Sequence, residues 1–358
     1  MITREQTRPI RVGSLTIGGG APVIVQSMTN TATADTEATL QQINSLAKAG
    51  CELVRVAVPD ERAAAALPYL VAKSPLPLVA DIHFNYRLAL SAIDAGVAKI
   101  RINPGNIGGK DRLAAVVARA AEKKVAIRIG VNAGSLEKDI YHKYGGITAE
   151  ALVESALGHI KMVEEMGFKN LIVSLKASSV PLTVAAHRLL AQKVNYPHHI
   201  GITEAGSPFS GTIHSAVGIG ALLLAGLGDT IRVSLTAPPE EEVRVAKEIL
   251  TAAGIRRFGP RVISCPTCGR TQIKLQELAQ EIEERVKDLS EPLTIAVMGC
   301  AVNGPGEARE ADLGVAGGKN EGLIFRRGKV LKKVSQNKIV DELMLVLDEM
   351  LQEKAKKH

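Results

Sequence analysis

Between residues 22 and 254, short β-branched runs alternate with longer segments whose apolar residues recur every three to four positions. The runs fall at 23–26, 53–57, 76–80, 98–102, 125–129, 171–174, 199–203 and 230–235, and each precedes a helical stretch. Eight such units are the count of a (β/α)8 TIM barrel. One segment shows the logic: Thr148 can cap it, Leu152, Ala156, Ile160 and Val163 share a face, and Gly167 can close it. The last begins at Pro238 and Pro239 with Glu240, Glu241 and Glu242 in its first turn and should stop at Gly254. Proline preset for the first turn and carboxylates at the positive end of the dipole both suit a helix start. A doubly wound open sheet is the competing architecture, but its glycine fingerprint does not follow the first strand.

Past Gly254 the period changes. A strand at 261–264, an amphipathic helix over about 271–289, a strand at 293–298, two short strands near 312–316 and 322–326 and a helix over about 337–353 predict a smaller α+β domain. The expected division is a barrel domain over 1–256 and a second domain over 257–358.

Hydrophobic residues make up 46% of the 358, enough for a large core, whereas Trp is absent and aromatics are 3%, leaving few platforms for stacking on bases. The net charge of +7 favours an anionic partner, yet the cations are scattered singly except in the tail from Lys354 to His358. Neither an apolar leader nor a run long enough to span a bilayer is present, so a cytoplasmic protein is expected, with no membrane partner. Cysteines there stay reduced, which points to metals rather than disulfides.

Cys265 and Cys268 form a C-x2-C step, and Cys300 arrives at the end of a strand inside a glycine-rich run. Glycines let backbone approach a bulky cofactor and aim N–H groups at sulfur. Three thiolates leave one ligand missing. Cys51, at a helix-to-strand junction, reads as a buried structural residue, whereas Glu307 lies close behind Cys300. Spacing alone leaves structural zinc and an iron–sulfur cluster level. Zinc prefers Cys or His as its fourth ligand, and no histidine lies between Cys265 and the final helix. A carboxylate on one iron of a [4Fe–4S] cluster is exchangeable, as a catalytic cluster requires.

Chemistry in a barrel sits at the C-terminal ends of its strands. Those ends carry Arg55, then Asp81 and His83, Arg101 and Asn103, Arg128 and Asn132, Lys176, Thr203 and Glu204, and finally Arg232 and Ser234. Five cations on one rim with little counter-charge repel one another unless an anion joins them, each close pair costing about 1–4 kcal/mol even at surface-like dielectric. A small, multiply charged anion such as a diphosphate fits, held by forked guanidinium donors and a lysine point charge. Asn132, Thr203 and Ser234 add neutral donors, and Asp81, His83 and Glu204 are the candidates for proton transfer.

The runs SCPTCGR at 264–270 and GCAVNGPGE at 299–307 resemble the cluster motifs of the bacterial 4-hydroxy-3-methylbut-2-enyl diphosphate synthase (IspG/GcpE) family. So do QSMT at 26–29, ADIHF at 80–84, RINPGN at 101–106, RIGVN at 128–132 and GITEAG at 201–206, a match running from near the N-terminus to about Lys319. The resemblance implies two-electron reductive opening and dehydration of 2-C-methyl-D-erythritol 2,4-cyclodiphosphate in the non-mevalonate isoprenoid pathway. It assigns Cys265, Cys268, Cys300 and Glu307 to a [4Fe–4S] cluster, and Arg55, Arg101, Arg128, Asn132, Lys176, Thr203 and Ser234 to the diphosphate. Glu204 becomes the leading acid/base, with Asp81 and His83 nearby. It further implies reduced ferredoxin or flavodoxin as donor, and a head-to-tail homodimer in which each cluster domain caps its partner's barrel. A phosphate-binding barrel with a structural zinc domain, and a zinc-stabilised nucleic-acid-binding protein, are the alternatives; neither accounts for both the rim and Glu307.

Overall fold

A computed structural model describes residues 1–287, 289–300, 306 and 309–356 of the chain. Its first ten strands are β1 (Ile10–Val12), β2 (Leu15–Ile17), β3 (Ile24–Met28), β4 (Leu53–Ala57), β5 (Leu78–Asp81), β6 (Lys99–Ile102), β7 (Ala126–Asn132), β8 (Leu171–Lys176), β9 (His199–Ile200) and β10 (Thr230–Ile231). From β3 onward they pair in parallel, in the order β8-β7-β6-β5-β4-β3-β10-β9. The ring closes between β8 and β9, where Val173 bridges His198 and donates its N–H to the Pro197 carbonyl at 2.9 Å. This is the expected (β/α)8 barrel.

The helices between the strands are α1 (Thr36–Ala49), α2 (Glu61–Lys73), α3 (Tyr86–Asp94), α4 (Lys110–Lys123), the short α5 (Lys138–Lys143), α6 (Ala149–Glu164), α7 (Val180–Leu190), α8 (Pro208–Leu224) and α9 (Pro239–Ala252). Their starts follow the capping chemistry of the sequence: Asp35, Asp60 and Thr148 accept from the N–H groups of Ala38, Ala63 and Ala151. On α6, Leu152, Ala156, Ile160 and Val163 are all buried, as their spacing predicts.

β9 and β10 are shorter than their apolar runs. After two residues each they leave the ladder, where the backbones come so close that a Cβ on Gly201 would lie 2.3 Å from the Arg232 carbonyl oxygen. The antiparallel pair β1–β2 is an addition to the expected plan. Its Ile10, Val12 and Ile17 pack with Ile24, Leu53, Val79, Ala126 and Ile172 in one buried cluster, which fills the lower end of the barrel with hydrocarbon.

The chain divides into units Met1–Arg256 and Arg257–His358. The second holds β11 (Arg261–Ser264), α10 (Leu275–Val286), β12 (Thr294–Met298), β13 (Leu313–Gly318), β14 (Glu321–Arg326), β15 (Lys329–Ser335) and α11 (Ile339–Ala355). The sheet order is β11-β12-β13-β14-β15, parallel through β13 and antiparallel thereafter. Ile282 and Val286 of α10 and Leu343, Leu347 and Met350 of α11 pack on Ile295, Val297, Val315 and Ile324. The strand β15 is unanticipated: Lys329, Lys332 and Lys333 give it the composition of a loop, and such lysines are what an exposed sheet edge carries to discourage pairing.

Candidate active site

Strand alternation turns every second residue of the barrel inward. At the upper end this gathers cations in the interior. Arg55, Arg101 and Lys176 are buried, and Arg128 is only 1% exposed. Two carboxylates stand among them. Asp81 Oδ1 accepts from Arg101 Nη1 at 3.2 Å, while Oδ2 lies 3.8 Å from Arg55 Nε and 3.6 Å from His83 Nε2. Glu242 reaches in from α9 to within 3.5 Å of Arg232 Nη2 and accepts from Ser27 Oγ and the Leu235 N–H at 3.2 and 3.0 Å. Arginine only donates, so the His83 Nδ1 that meets Arg101 Nη1 at 3.4 Å is the acceptor and the ring presents Nε2–H to Asp81.

Glycines make room for this set. A Cβ on Gly130 would sit 2.7 Å from Arg101 Nε, and one on Gly201 would sit 3.2 Å from Lys176 Nζ. Burial lowers the Arg55 pKa to about 10, with Asp81 opposing and the neighbouring Arg232 and Arg101 adding to the fall. Burial and the surrounding arginines hold Arg128 and Lys176 well below their ordinary values. Burial works against the Asp81 carboxylate, but Arg55, the His83 contact, Arg101 and Arg128 together hold its pKa far below the usual range. Even so, the guanidinium groups are under-used: Nε and Nη1 of Arg128, Nε of Arg101 and Nε of Arg232 are buried with no hydrogen-bond partner among the described residues. Donors left in this way cost free energy until an acceptor reaches them.

The structure thus brings Arg55, Asp81, His83, Arg101, Arg128, Lys176 and Arg232 together. Asn132 ends β7, Thr203 and Glu204 follow β9, and Ser234 follows β10, all at the same end of the barrel. Glu204 has φ of 53°, in the left-handed region that a non-glycine residue rarely adopts and that recurs at functional sites.

Two parts of this site escape the sequence reading. The counter-charge is larger than the rim count suggests, because Glu242, read as a dipole-matching helix start, is buried against Arg232. A deeper polar layer also exists: Lys99, two residues before Arg101 on the same face of β6, with Gln26 and His199. Period-2 alternation from Arg101 was the available signal for Lys99.

In the second unit Cys265 follows β11, Cys300 follows β12, and those strands are parallel neighbours with Ser264 opposite Val297. The Gly299 N–H donates to Cys265 Sγ at 3.2 Å. The Cys268 turn is tied to the same place: Thr271 N–H donates to the Cys268 carbonyl, and Gln272 N–H to the Gly299 carbonyl. A Cβ on Gly299 would lie 3.0 Å from the Thr271 side chain, a tight contact that glycine relieves at this approach. Cys300 is buried, Cys265 half-buried and Cys268 exposed. Among the described residues, no three His, Cys, Asp or Glu side chains stand as an assembled metal-holding group. Glu307 lies outside the described residues. The remaining thiol, Cys51, is buried at the foot of β4, where burial pushes its pKa up to about 11 and its S–H points to the Leu53 carbonyl.

A parallel (β/α)8 barrel with a cationic mouth, joined to an α+β unit bearing three cysteines at two strand ends, defines a two-domain barrel enzyme of anionic substrates. The chain belongs to the GcpE family: residues 7–247 match the GcpE TIM-barrel domain and residues 261–349 the GcpE protein C-terminal domain. It is 58% identical to the 4-hydroxy-3-methylbut-2-en-1-yl diphosphate synthase (flavodoxin) of Geobacter sulfurreducens over 98% of this chain and 99% of that one. A synthase of the same name from Geobacillus thermodenitrificans is 57% identical over 99% of this chain and 94% of its own. Among solved structures, the dihydropteroate synthase of Yersinia pestis aligns with 69% of this chain and 98% of its own at a TM-score of 0.50 and 13% identity, a likeness of fold alone.

Proposed function

We infer that the chain is an oxidoreductase that converts 2-C-methyl-D-erythritol 2,4-cyclodiphosphate into (E)-4-hydroxy-3-methylbut-2-enyl diphosphate, the product for which its relatives are named. One observation carries the reading: in a barrel mouth where cations outnumber carboxylates, buried guanidinium N–H groups of Arg101, Arg128 and Arg232 have no partner among the described residues. A diphosphate supplies both the charge and the acceptors this mouth lacks.

In this reading Arg55, Arg101, Arg128, Lys176 and Arg232 hold the diphosphate, with Asn132, Thr203 and Ser234 adding neutral hydrogen bonds. Asp81, kept ionised by its cations, serves as a fixed counter-charge that orients Arg55, Arg101 and His83. Proton transfer then falls to Glu204, with His83 in support.

The chemistry of the second unit fits an iron–sulfur cluster. Three thiols follow two adjacent strands, a backbone N–H already points at a sulfur, and a glycine lets the turn close in. Cys265, Cys268 and Cys300 would hold a [4Fe–4S] cluster with Glu307 as fourth ligand. Such a cluster supplies electrons one at a time, here from reduced flavodoxin or ferredoxin. A head-to-tail homodimer, in which each cluster unit serves the partner's barrel, is the arrangement we propose for bringing the two chemistries together. No described helix is long and apolar enough to cross a membrane, in keeping with a cytoplasmic enzyme.

The test is anaerobic purification, metal analysis and electron paramagnetic resonance, followed by turnover of the cyclic diphosphate with reduced flavodoxin. Iron, sulfide and formation of the open-chain diphosphate are expected. Zinc in place of iron, or no product after anaerobic reconstitution, overturns the reading.

A further inference from the structure

Beneath the mouth of the barrel lies a lysine that the diphosphate reading does not use. Lys99 opens β6, and no part of it is exposed. Its amino group makes one long hydrogen bond, 3.3 Å to Gln26 Oε1 from β3. The charged and titratable groups facing it are Arg55 of β4 and Arg128 of β7, with His199 of β9 in the same layer. The buried carboxylates of the barrel unit are engaged elsewhere, Asp81 with Arg101, Arg55 and His83, Glu242 with Arg232, Ser27 and Leu235, and Asp229 with the Thr7 hydroxyl and the His198 N–H. An ammonium here would have, among the described residues, one weak acceptor and two guanidinium neighbours, with no exposure to bulk solvent. Each of these disfavours the charge. The layer around it is also incomplete, since Gln26 Nε2 and His199 Nε2 are buried with no partner among the described residues.

We propose that Lys99 is a reserve cation, a neutral amine in the substrate-free protein that takes up a proton when the cyclic diphosphate enters, so that substrate binding is coupled to proton uptake. The proposal rests on the reading of the mouth as the diphosphate site. Its cause is electrostatic. Arg55 and Arg128 raise the potential at Lys99, and an anion bound to those arginines lowers it, which removes the main opposition to the ammonium. In the low-dielectric interior this effect reaches from the mouth to the next layer without direct contact. The ligand does not contribute a proton change of its own: each phosphorus of a cyclic diphosphate bears one strongly acidic hydroxyl, ionised throughout the neutral range. A proton entering on binding therefore goes to the protein.

The experiment is isothermal titration of the full-length, anaerobically purified protein with 2-C-methyl-D-erythritol 2,4-cyclodiphosphate, without reductant, in buffers of different ionisation enthalpy at one near-neutral pH. The slope of binding heat against buffer ionisation enthalpy counts the protons taken up. We expect uptake of about half to one proton per barrel. In Lys99→Met, and in Lys99→Gln, which keeps a polar group opposite Gln26, most of that uptake should vanish while binding persists at a several-fold weaker Kd. Binding by the wild-type protein with a flat slope overturns the inference and leaves the diphosphate site intact. Full proton uptake in the folded Lys99 variants also overturns it. No binding heat at all overturns both readings.

Discussion

A methyl group on Gly130 would stand 2.7 Å from Arg101 Nε and 3.3 Å from its Nη2. Both are the far end of a flexible side chain, so the fold can absorb the change while the guanidinium cannot keep its place. Gly130→Ala should therefore leave the melting temperature within a few degrees. It should weaken cyclic diphosphate binding by about 10- to 100-fold, the worth of a displaced charge-assisted contact; calorimetry and a thermal melt read the two effects. Asp81 invites the opposite experiment. Its removal strands Arg55 and Arg101 as buried cations, so Asp81→Asn should lose about 3 kcal/mol of stability at neutral pH. The folded carboxyl titrates below its unfolded value near 3.9, so its contribution is present above that value and lost as the pH falls through the folded pKa. Urea unfolding at neutral pH and near pH 3 should show the gap between wild type and variant narrowing in acid; a constant gap would mean the ion pairs are not its source. These side chains differ in how well sequence reveals them. Arg55, Arg101, Arg128 and Lys176 were legible because strand ends are where barrels do chemistry. Glu242 was not, because a carboxylate in a helix's first turn already has a sufficient local reason, and its contact with Arg232 joins residues far from any common pattern.

At the level of elements, the helix α7 is tied to β8 through a histidine pair. His187 Nε2 lies 3.0 Å from the Leu175 carbonyl, and its Nδ1 lies 3.0 Å from His198 Nδ1. A carbonyl only accepts, so His187 carries its proton on Nε2 and accepts at Nδ1 from His198. Burial first, and for His187 the neighbouring ring as well, push both pKa values down, that of His198 to about 4. A histidine depressed in the folded state stabilises above its unfolded pKa near 6.5 and loses that stability as the pH falls toward 4. Asp229, which accepts from the His198 N–H and is raised by burial to about 6, works in the contrary sense over the same window. The melting temperature should fall between pH 6.5 and pH 4, and more steeply in Asp229→Asn; an equal slope in the variant would remove Asp229 from this account. Elements with a strong period were readable, β4 to the residue. The pair β1–β2 was not, since three-residue strands leave no period, and β15 was hidden by the lysines that protect it as an edge.

For the whole molecule, the proposed exchange of cluster units between partners has a genetic signature. Arg128→Met should disable the barrel and Cys268→Ser the cluster, each alone nearly without activity. Co-expressed, their heterodimers would contain one barrel and one cluster that are both intact, and if sites form between subunits about a quarter of wild-type activity should return. Sites formed within one subunit would give none. A last consequence follows from the hydrocarbon stopper that β1 and β2 place in the lower end of the barrel. With that end filled by side chains among the described residues, a ligand held by the cationic rim comes and goes at the mouth. Product and incoming substrate therefore contend for a single doorway, and added product should slow turnover in strict competition with the cyclic diphosphate, raising its apparent KM and leaving kcat alone. A mixed pattern of inhibition would show that product also binds an enzyme form other than the one substrate enters, against a shared site at the mouth.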